Sequence, residues 1–191
     1  MPSAEVNNIM IEYETFGKKK NKLLLLISGL GSQMIAWPKD MCNMFVDRGF
    51  YVIRFDNRDI GLSTKLDDAG LPDMEKVNKA YMNGKKPELP YTIEDMADDA
   101  IGLLDILDIS KCNIIGASMG GIIAQFLAYR YPERVRTLTT IMSTTGNPEL
   151  PPGKPEIMME FFSPVPSERE SYINEMVRRD SLIYGNFEYD E

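Results

Sequence analysis

Short apolar runs alternate with segments of helical periodicity along most of this chain, and this alternation limits its fold more than any other feature. Strand-like runs follow an opening hairpin over 5–16 and fall at 23–28, 51–55, 112–116 and 135–143. Apolar residues at helical spacing lie between these runs, at 38–48, 92–107 and 119–131. Because parallel strands need long crossover connections, this order is typical of βαβ units. The sequence therefore predicts a doubly wound, mostly parallel α/β sheet with helices on both faces.

The chain changes character after residue 143. Residues 144–155 hold four prolines and two glycines, which continue neither a strand nor a helix. A helix-like, methionine-rich segment follows over 156–184. We therefore predict an α/β core over 1–147 and a Pro-rich linker with a helical segment over 148–191.

Charge and hydropathy exclude several classes of function. The net charge of −8, from 29 acidic and 21 basic residues, repels nucleic acid and anionic membranes. The basic run at 18–22 reads as a solvated turn. The longest apolar run, at 23–27, is too short to span a bilayer, and the first residues lack a signal-peptide pattern. We expect a cytoplasmic protein with no nucleic-acid or membrane partner.

No metal site or cofactor is predicted from the residue pattern. Cys42 and Cys112 are too few for a disulfide framework or a zinc site, so buried free thiols are expected. The acidic pairs at 67–68 and 98–99 are expected to be solvated surface. The GLGS segment at 29–32 does not meet the dinucleotide-binding pattern.

The pattern Gly116-x-Ser118-x-Gly120 lies between a strand-like and a helix-like segment. A serine on such a sharp turn is held in a strained conformation that projects its hydroxyl. Glycines two residues to either side let the strand and helix approach closely. The sequence therefore predicts a nucleophile elbow with Ser118 as the nucleophile and Gly116 and Gly120 as its supporting glycines.

The loop after the first buried strand, Ser28-Gly29-Leu30-Gly31, is the predicted source of an oxyanion hole. Acyl transfer builds negative charge on a carbonyl oxygen, and fixed backbone N–H groups stabilise it. We expect the N–H groups of Leu30 and Met119 to serve as donors. Gly29, Met34 and Trp37 are candidates for substrate contact, although the two large side chains could equally belong to the core.

Three segments give the chain a resemblance to the α/β-hydrolase superfamily. They are SGLGSQMIAWP at 28–38, DNRDIGLST at 56–64 and GASMGGIIAQ at 116–125. Within the superfamily the sequence is most similar to esterases related to aclacinomycin methylesterase, over about residues 5–150. The resemblance implies hydrolysis of a small-molecule carboxylic ester without a cofactor. It also implies structural hydrogen bonding by Asp56 and Arg58, and the start of a helical cap over 148–191.

The chain departs from this family in its catalytic triad. It contains no histidine, and the segment 143–146, where some members place the acid, reads Ser-Thr-Thr-Gly. The resemblance places the acid and the histidine downstream of the cap, and it implies eight strands where six are predicted. We therefore expect a C-terminally incomplete sheet, with triad residues from an absent or separate part. A C-terminal fragment or self-association would complete the sheet.

Two other functions are compatible with the sequence. A non-catalytic, hydrolase-like binding protein or an inert fragment would keep the scaffold without the chemistry. A cofactor-free haloperoxidase-like enzyme would need the same triad and would lack the same residues.

Overall fold

The computed structural model describes residues 2–147, 149–151 and 153–184. The chain divides into two compact units, Met1–Thr145 and Gly146–Glu191. The division lies close to the boundary after residue 147 that composition predicts. That the second unit acts as a cap stays a prediction.

The described part of the first unit contains one sheet of six strands. These are β1 (Ser3–Val6), β2 (Ile9–Phe16), β3 (Lys22–Ile27), β4 (Phe50–Phe55), β5 (Cys112–Ala117) and β6 (Val135–Ile141). Their spatial order is β1-β2-β4-β3-β5-β6. The pairs β1–β2 and β2–β4 are antiparallel, whereas β4, β3, β5 and β6 run parallel. The predicted α/β fold with a mostly parallel sheet is confirmed.

In the described residues, four α-helices accompany the sheet in the first unit and two lie in the second. They are α1 (Lys39–Asp47), α2 (Met74–Met82), α3 (Ile93–Ile106), α4 (Met119–Arg130), α5 (Pro155–Phe162) and α6 (Arg169–Tyr184). The start of α3 is a capping box, in which Asp95 N–H donates to Thr92 Oγ1 and Thr92 N–H donates to the Asp95 carboxylate. None of the helices in the described ranges could span a bilayer.

The sheet is buried on both faces at β3, whose successive side chains point in opposite directions into two core clusters. Leu23, Leu25 and Ile27 belong to the larger core cluster, which includes side chains of α3 and α4. Leu24 and Leu26 belong to a second cluster on the other face, together with Trp37 and Cys42. The continuous apolar run therefore places β3 in the middle of the sheet, where both faces are covered.

Both cysteines are buried free thiols, as the sequence predicts. Burial raises the pKa of the Cys42 thiol above its ordinary value. It raises the pKa of Cys112 to about 12. Neither thiol is therefore ionised near neutral pH, and a nucleophilic role for either is disfavoured.

Ion pairs connect side chains of the two helices of the second unit, and Arg179 among them is buried. Glu175 accepts hydrogen bonds from Arg178 and Arg179, and these bonds lower its pKa to about 2. Arg178 also pairs with Glu160 of α5. Arg179 Nη2 donates to the carbonyl oxygen of Ser163 at 3.1 Å. These contacts connect α6 to α5 and to the turn that follows it.

Candidate functional site

Ser118 lies on the turn that joins β5 to α4, with φ 51° and ψ −121°. This positive φ is sterically unfavourable for a residue with a Cβ, so the surrounding structure must impose it. Ser118 N–H donates to the carbonyl oxygen of Ile141 at 2.9 Å, which ties the turn to the end of β6. The Ser118 side chain is exposed, and its hydroxyl has no hydrogen-bond partner among the described residues.

The two glycines of the motif permit a close backbone approach. A Cβ on Gly116 would lie 2.6 Å from the carbonyl carbon of Gly120. A Cβ on Gly120 would lie 2.6 Å from the carbonyl oxygen of Ser28, at the end of β3. Neither residue could carry a side chain unless the backbone moved. The spacing in the sequence thus reflects contacts between β5, α4 and the central strand.

The loop that follows β3 lies against the Ser118 turn. A Cβ on Gly29 would be 3.2 Å from Ser118 Cβ and 3.7 Å from Ser118 Oγ. Among the described residues, the N–H groups of Leu30 and Met119 have no hydrogen-bond acceptor. The structure thus brings a free hydroxyl and the loop bearing the predicted donors to one edge of the sheet.

A second loop, after β4, fixes the loop that follows β3. The buried carboxylate of Asp56 accepts hydrogen bonds from Met34 N–H at 2.7 Å and from Leu62 N–H at 2.9 Å. Asn57 Nδ2 donates to the carbonyl oxygen of Ser28 at 3.1 Å. Asp56 therefore acts as a structural acceptor between two loops, in agreement with the role that the family resemblance implies.

The side chains of Met34 and Trp37 are 1% and 6% exposed, respectively. Trp37 belongs to the core cluster with Leu24, Leu26 and Cys42. Packing therefore accounts for the burial of Trp37, and its proposed contact with substrate stays a prediction, as does that of Met34. Gly29 is the candidate contact residue that lies directly beside Ser118.

The expectation of a solvated acidic pair at 98–99 is wrong for Asp99, which is 1% exposed. Arg58 forms a bidentate pair with it, Nε to Oδ2 at 2.6 Å and Nη2 to Oδ1 at 2.7 Å. Burial alone would lower the pKa of Arg58, but the hydrogen bonds and charge of Asp99 outweigh it, and the pKa is raised. Helical spacing could have located Asp99, because it lies three residues after the buried Met96 and four before the buried Leu103.

The end of β6, where some superfamily members carry the triad acid, holds Ser143. A Cβ on Gly121, in the first turn of α4, would lie 2.5 Å from Ser143 Oγ. That hydroxyl is buried and has no hydrogen-bond partner in the described structure. Within the described residues, no group of three or more acidic, histidine or cysteine side chains could hold a metal ion.

The parallel sheet, with a serine projected from a strand–helix turn at its carboxyl edge, defines an α/β scaffold of the hydrolase type. The chain belongs to the alpha/beta hydrolase fold family, whose sequence model matches residues 22–180. The predicted family membership is therefore confirmed.

Two curated relatives and one solved structure show the extent of the similarity. Rhodomycin D methylesterase DnrP of Streptomyces peucetius is 31% identical over 144 residues, which are 74% of this chain and 42% of that protein. The 3-oxoadipate enol-lactonase 2 of Acinetobacter baylyi is 30% identical over 127 residues, 66% of this chain and 39% of its own length. The meta-cleavage product hydrolase of Pseudomonas fluorescens IP01 superposes with a TM-score of 0.67 at 21% identity, covering 95% of this chain and 56% of its own. The chain thus spans about two fifths of the length of these curated relatives.

Proposed function

We propose that this chain carries the nucleophile and the oxyanion hole of a serine-type hydrolase of carboxylic esters. The observation that carries the proposal is the unpartnered, exposed Ser118 hydroxyl on a positive-φ turn, beside the loop of Gly29. Relatives that act on esters and lactones support the same reaction class, since two are a methylesterase and an enol-lactonase. The proposed substrate is a small-molecule ester.

In this mechanism, Ser118 Oγ attacks the ester carbonyl carbon while a base takes its proton. The carbonyl oxygen becomes negatively charged and accepts hydrogen bonds from the N–H groups of Leu30 and Met119. The amino end of α4 adds a positive dipole end at the same place. When the tetrahedral intermediate collapses, the ester C–O bond breaks and the alcohol leaves with the proton that the base holds, which gives an acyl-enzyme. Water, deprotonated by the same base, then attacks the acyl carbon, the bond to Ser118 Oγ breaks, and the acid product leaves as the Ser118 hydroxyl regains its proton.

The base is the part of this mechanism that the chain does not provide. It has no histidine, and residues 143–146 include no carboxylate. We propose that the acid and the histidine come from a polypeptide segment outside these 191 residues, as a separate fragment or as a continuation. Without them, catalysis falls to the roughly 10³–10⁴-fold over water that an oxyanion hole and binding provide in other serine hydrolases.

The test measures labelling of Ser118 by a fluorophosphonate, with mass spectrometry to locate the label. The 191-residue chain is compared alone, with imidazole as a diffusible base, and after fusion to the segment of rhodomycin D methylesterase DnrP that follows the matched region. Labelling at Ser118 should be slow for the chain alone, should rise with imidazole and should be fastest in the fusion. Ser118→Ala is the control and should take no label under any of these conditions.

A hydrolase-like binding protein is the second candidate, and the absence of histidine is the observation that favours it. It predicts no labelling at Ser118 in any of the three conditions. It also predicts saturable binding of an apolar carboxylic ester to the chain alone, measured by calorimetry. That pair of results would replace the hydrolase proposal.

A further inference from the structure

A pocket of about 260 Å³ opens at the amino ends of the parallel strands, at the sheet edge opposite Ser118. Four separate parts of the chain meet there: the turn between β2 and β3 with the start of β3, the loop between α3 and β5, the start of β4 and the start of β6. The charged residues that line it are Lys19, Lys20, Lys22, Lys111, Arg136 and Asp108.

The lining carries five cationic side chains and one carboxylate, Asp108, on a protein whose net charge is −8. Within the described structure, none of the five cations forms an ion pair or a side-chain hydrogen bond. Like charges that meet in a concave site create a positive potential that attracts an anion. The predicted solvated turn at 18–22 is thus one wall of a cationic pocket.

Tyr51 adds a hydroxyl to the lining of this pocket. The residue is 8% exposed, and its ring belongs to the larger core cluster. Its hydroxyl has no hydrogen-bond partner among the residues that the structure describes. This hydroxyl is not one of the solvent-inaccessible polar atoms without a partner in the described structure, so solvent reaches it and it is available to a ligand in the pocket. The side chains of Asn21 and Ser110, which also line the pocket, are likewise without a partner in the described ranges.

We propose that this pocket binds a compact anion that carries several phosphate charges. Lysine ammonium groups bind phosphate oxygens as point charges, and hydroxyl and amide donors complete the coordination. The small volume accepts a short oligophosphate group. The acidic surface elsewhere on the chain disfavours an extended polyanion such as nucleic acid, which would reach beyond the pocket. The site is separate from Ser118 and does not depend on the proposed hydrolase activity.

The test is isothermal titration of the 191-residue chain with inorganic tripolyphosphate at two salt concentrations. A triple variant, Lys22→Gln with Lys111→Gln and Arg136→Gln, should raise Kd roughly tenfold, because three exposed charge–phosphate contacts of modest strength are lost. Tyr51→Phe should raise Kd about threefold, as expected for the loss of one hydrogen bond. Higher salt should weaken binding by the native chain more than binding by the triple variant.

The matched control removes three positive charges elsewhere, by Lys76→Gln with Lys79→Gln and Lys85→Gln on α2 and the turn after it. This control should bind tripolyphosphate within about twofold of the native chain. Equal weakening in the control variant would mean a general charge effect and would overturn the site. Absence of binding by the native chain at millimolar tripolyphosphate, or an unchanged Kd for Tyr51→Phe, would overturn it as well.

Discussion

At the scale of single residues, Ser118 and its glycines show how a short motif specifies a backbone shape. The positive φ of Ser118 is held by contacts on both sides, through Ile141 and through the close approach of Gly120 to the end of β3. Strain of this kind costs about 1–3 kcal/mol in other proteins. The backbone of the turn that presents the proposed nucleophile is therefore expected to lower the stability of the fold.

Replacing Ser118 tests that cost directly. Ser118→Gly should be more stable than Ser118→Ala by about 1 kcal/mol, because glycine adopts a positive φ without steric conflict. Urea unfolding followed by circular dichroism measures the difference. The control is Ala128→Gly in the regular part of α4, which should lose about 1 kcal/mol. Equal stability of the two Ser118 variants would show that the turn is unstrained.

At the scale of elements, the boundaries of helices and strands follow from local chemistry. The capping box at the start of α3 is an example, because Thr92 and Asp95 satisfy each other's backbone N–H groups. The hydrogen bond from the Thr92 hydroxyl is the largest influence on the Asp95 carboxyl and lowers its pKa. A lowered pKa means that the folded state holds this proton less tightly than the unfolded chain does.

The lowered pKa of Asp95 determines how the stability that the capping box contributes depends on pH. Its contribution to stability should be complete above the unfolded pKa of about 3.9 and should be lost as pH falls through the lower folded pKa. Asp95→Ala should therefore cost about 1 kcal/mol at pH 7, and the difference from the native chain should shrink below about pH 4. Urea unfolding across this pH range measures it, with the exposed Asp68→Ala as a control that changes stability by less than about 0.5 kcal/mol. A difference that is the same at pH 7 and pH 3 would contradict the argument.

The sequence predicts these elements well because periodicity, capping and glycine placement are local properties. The run Leu23–Ile27 predicts a strand buried on both faces, and the structure has it between β4 and β5. The order of the strands is different in kind, because pairing joins residues far apart in the chain and no local pattern specifies it. Helical spacing could have indicated the burial of Asp99, but no local pattern identifies Arg58 as its partner, because the two residues lie 41 positions apart.

The candidate site likewise has features that the local sequence predicts and features that it does not. The turn around Ser118 and the loop after β3 are recognisable from their glycines, and the structure brings them together. The links through Asp56 are indicated in the sequence only by the family resemblance, because no local pattern shows that its carboxylate accepts from the N–H groups of Met34 and Leu62. No sequence pattern predicts the pocket around Tyr51. The lysine-rich turn alone indicates solvated surface, and the other residues that line the pocket come from distant parts of the chain.

At the scale of the whole molecule, the sheet is unevenly protected. Strand β6 ends the strand order, and six of its seven residues are exposed. It carries a single charged residue, Arg136, and no proline. Proteins usually protect an edge of this kind with charges, prolines or a covering segment, because its free N–H and C=O groups can pair with another strand. We propose that β6 pairs with a further segment of polypeptide or with a second copy.

Sedimentation velocity of the 191-residue chain should show association that increases with protein concentration. Thr139→Lys, which places a charge in the middle of β6, should shift the distribution toward monomer. Leu71→Lys, at an exposed loop position, adds the same charge away from the sheet and should leave the distribution unchanged. A native chain that stays monomeric across a hundredfold range of concentration would contradict the prediction.

The close approach at Gly120 has a consequence for how this sequence can vary. A side chain at this position would meet the carbonyl groups of Ile27 and Ser28, which are present whatever residues occupy positions 27 and 28. A clash between side chains can be relieved by trimming the neighbour, but a clash with main-chain atoms has no such remedy. Selection for suppressors of Gly120→Ala should therefore recover reversion to glycine. Substitutions of the surrounding core side chains should not make any other residue acceptable at position 120.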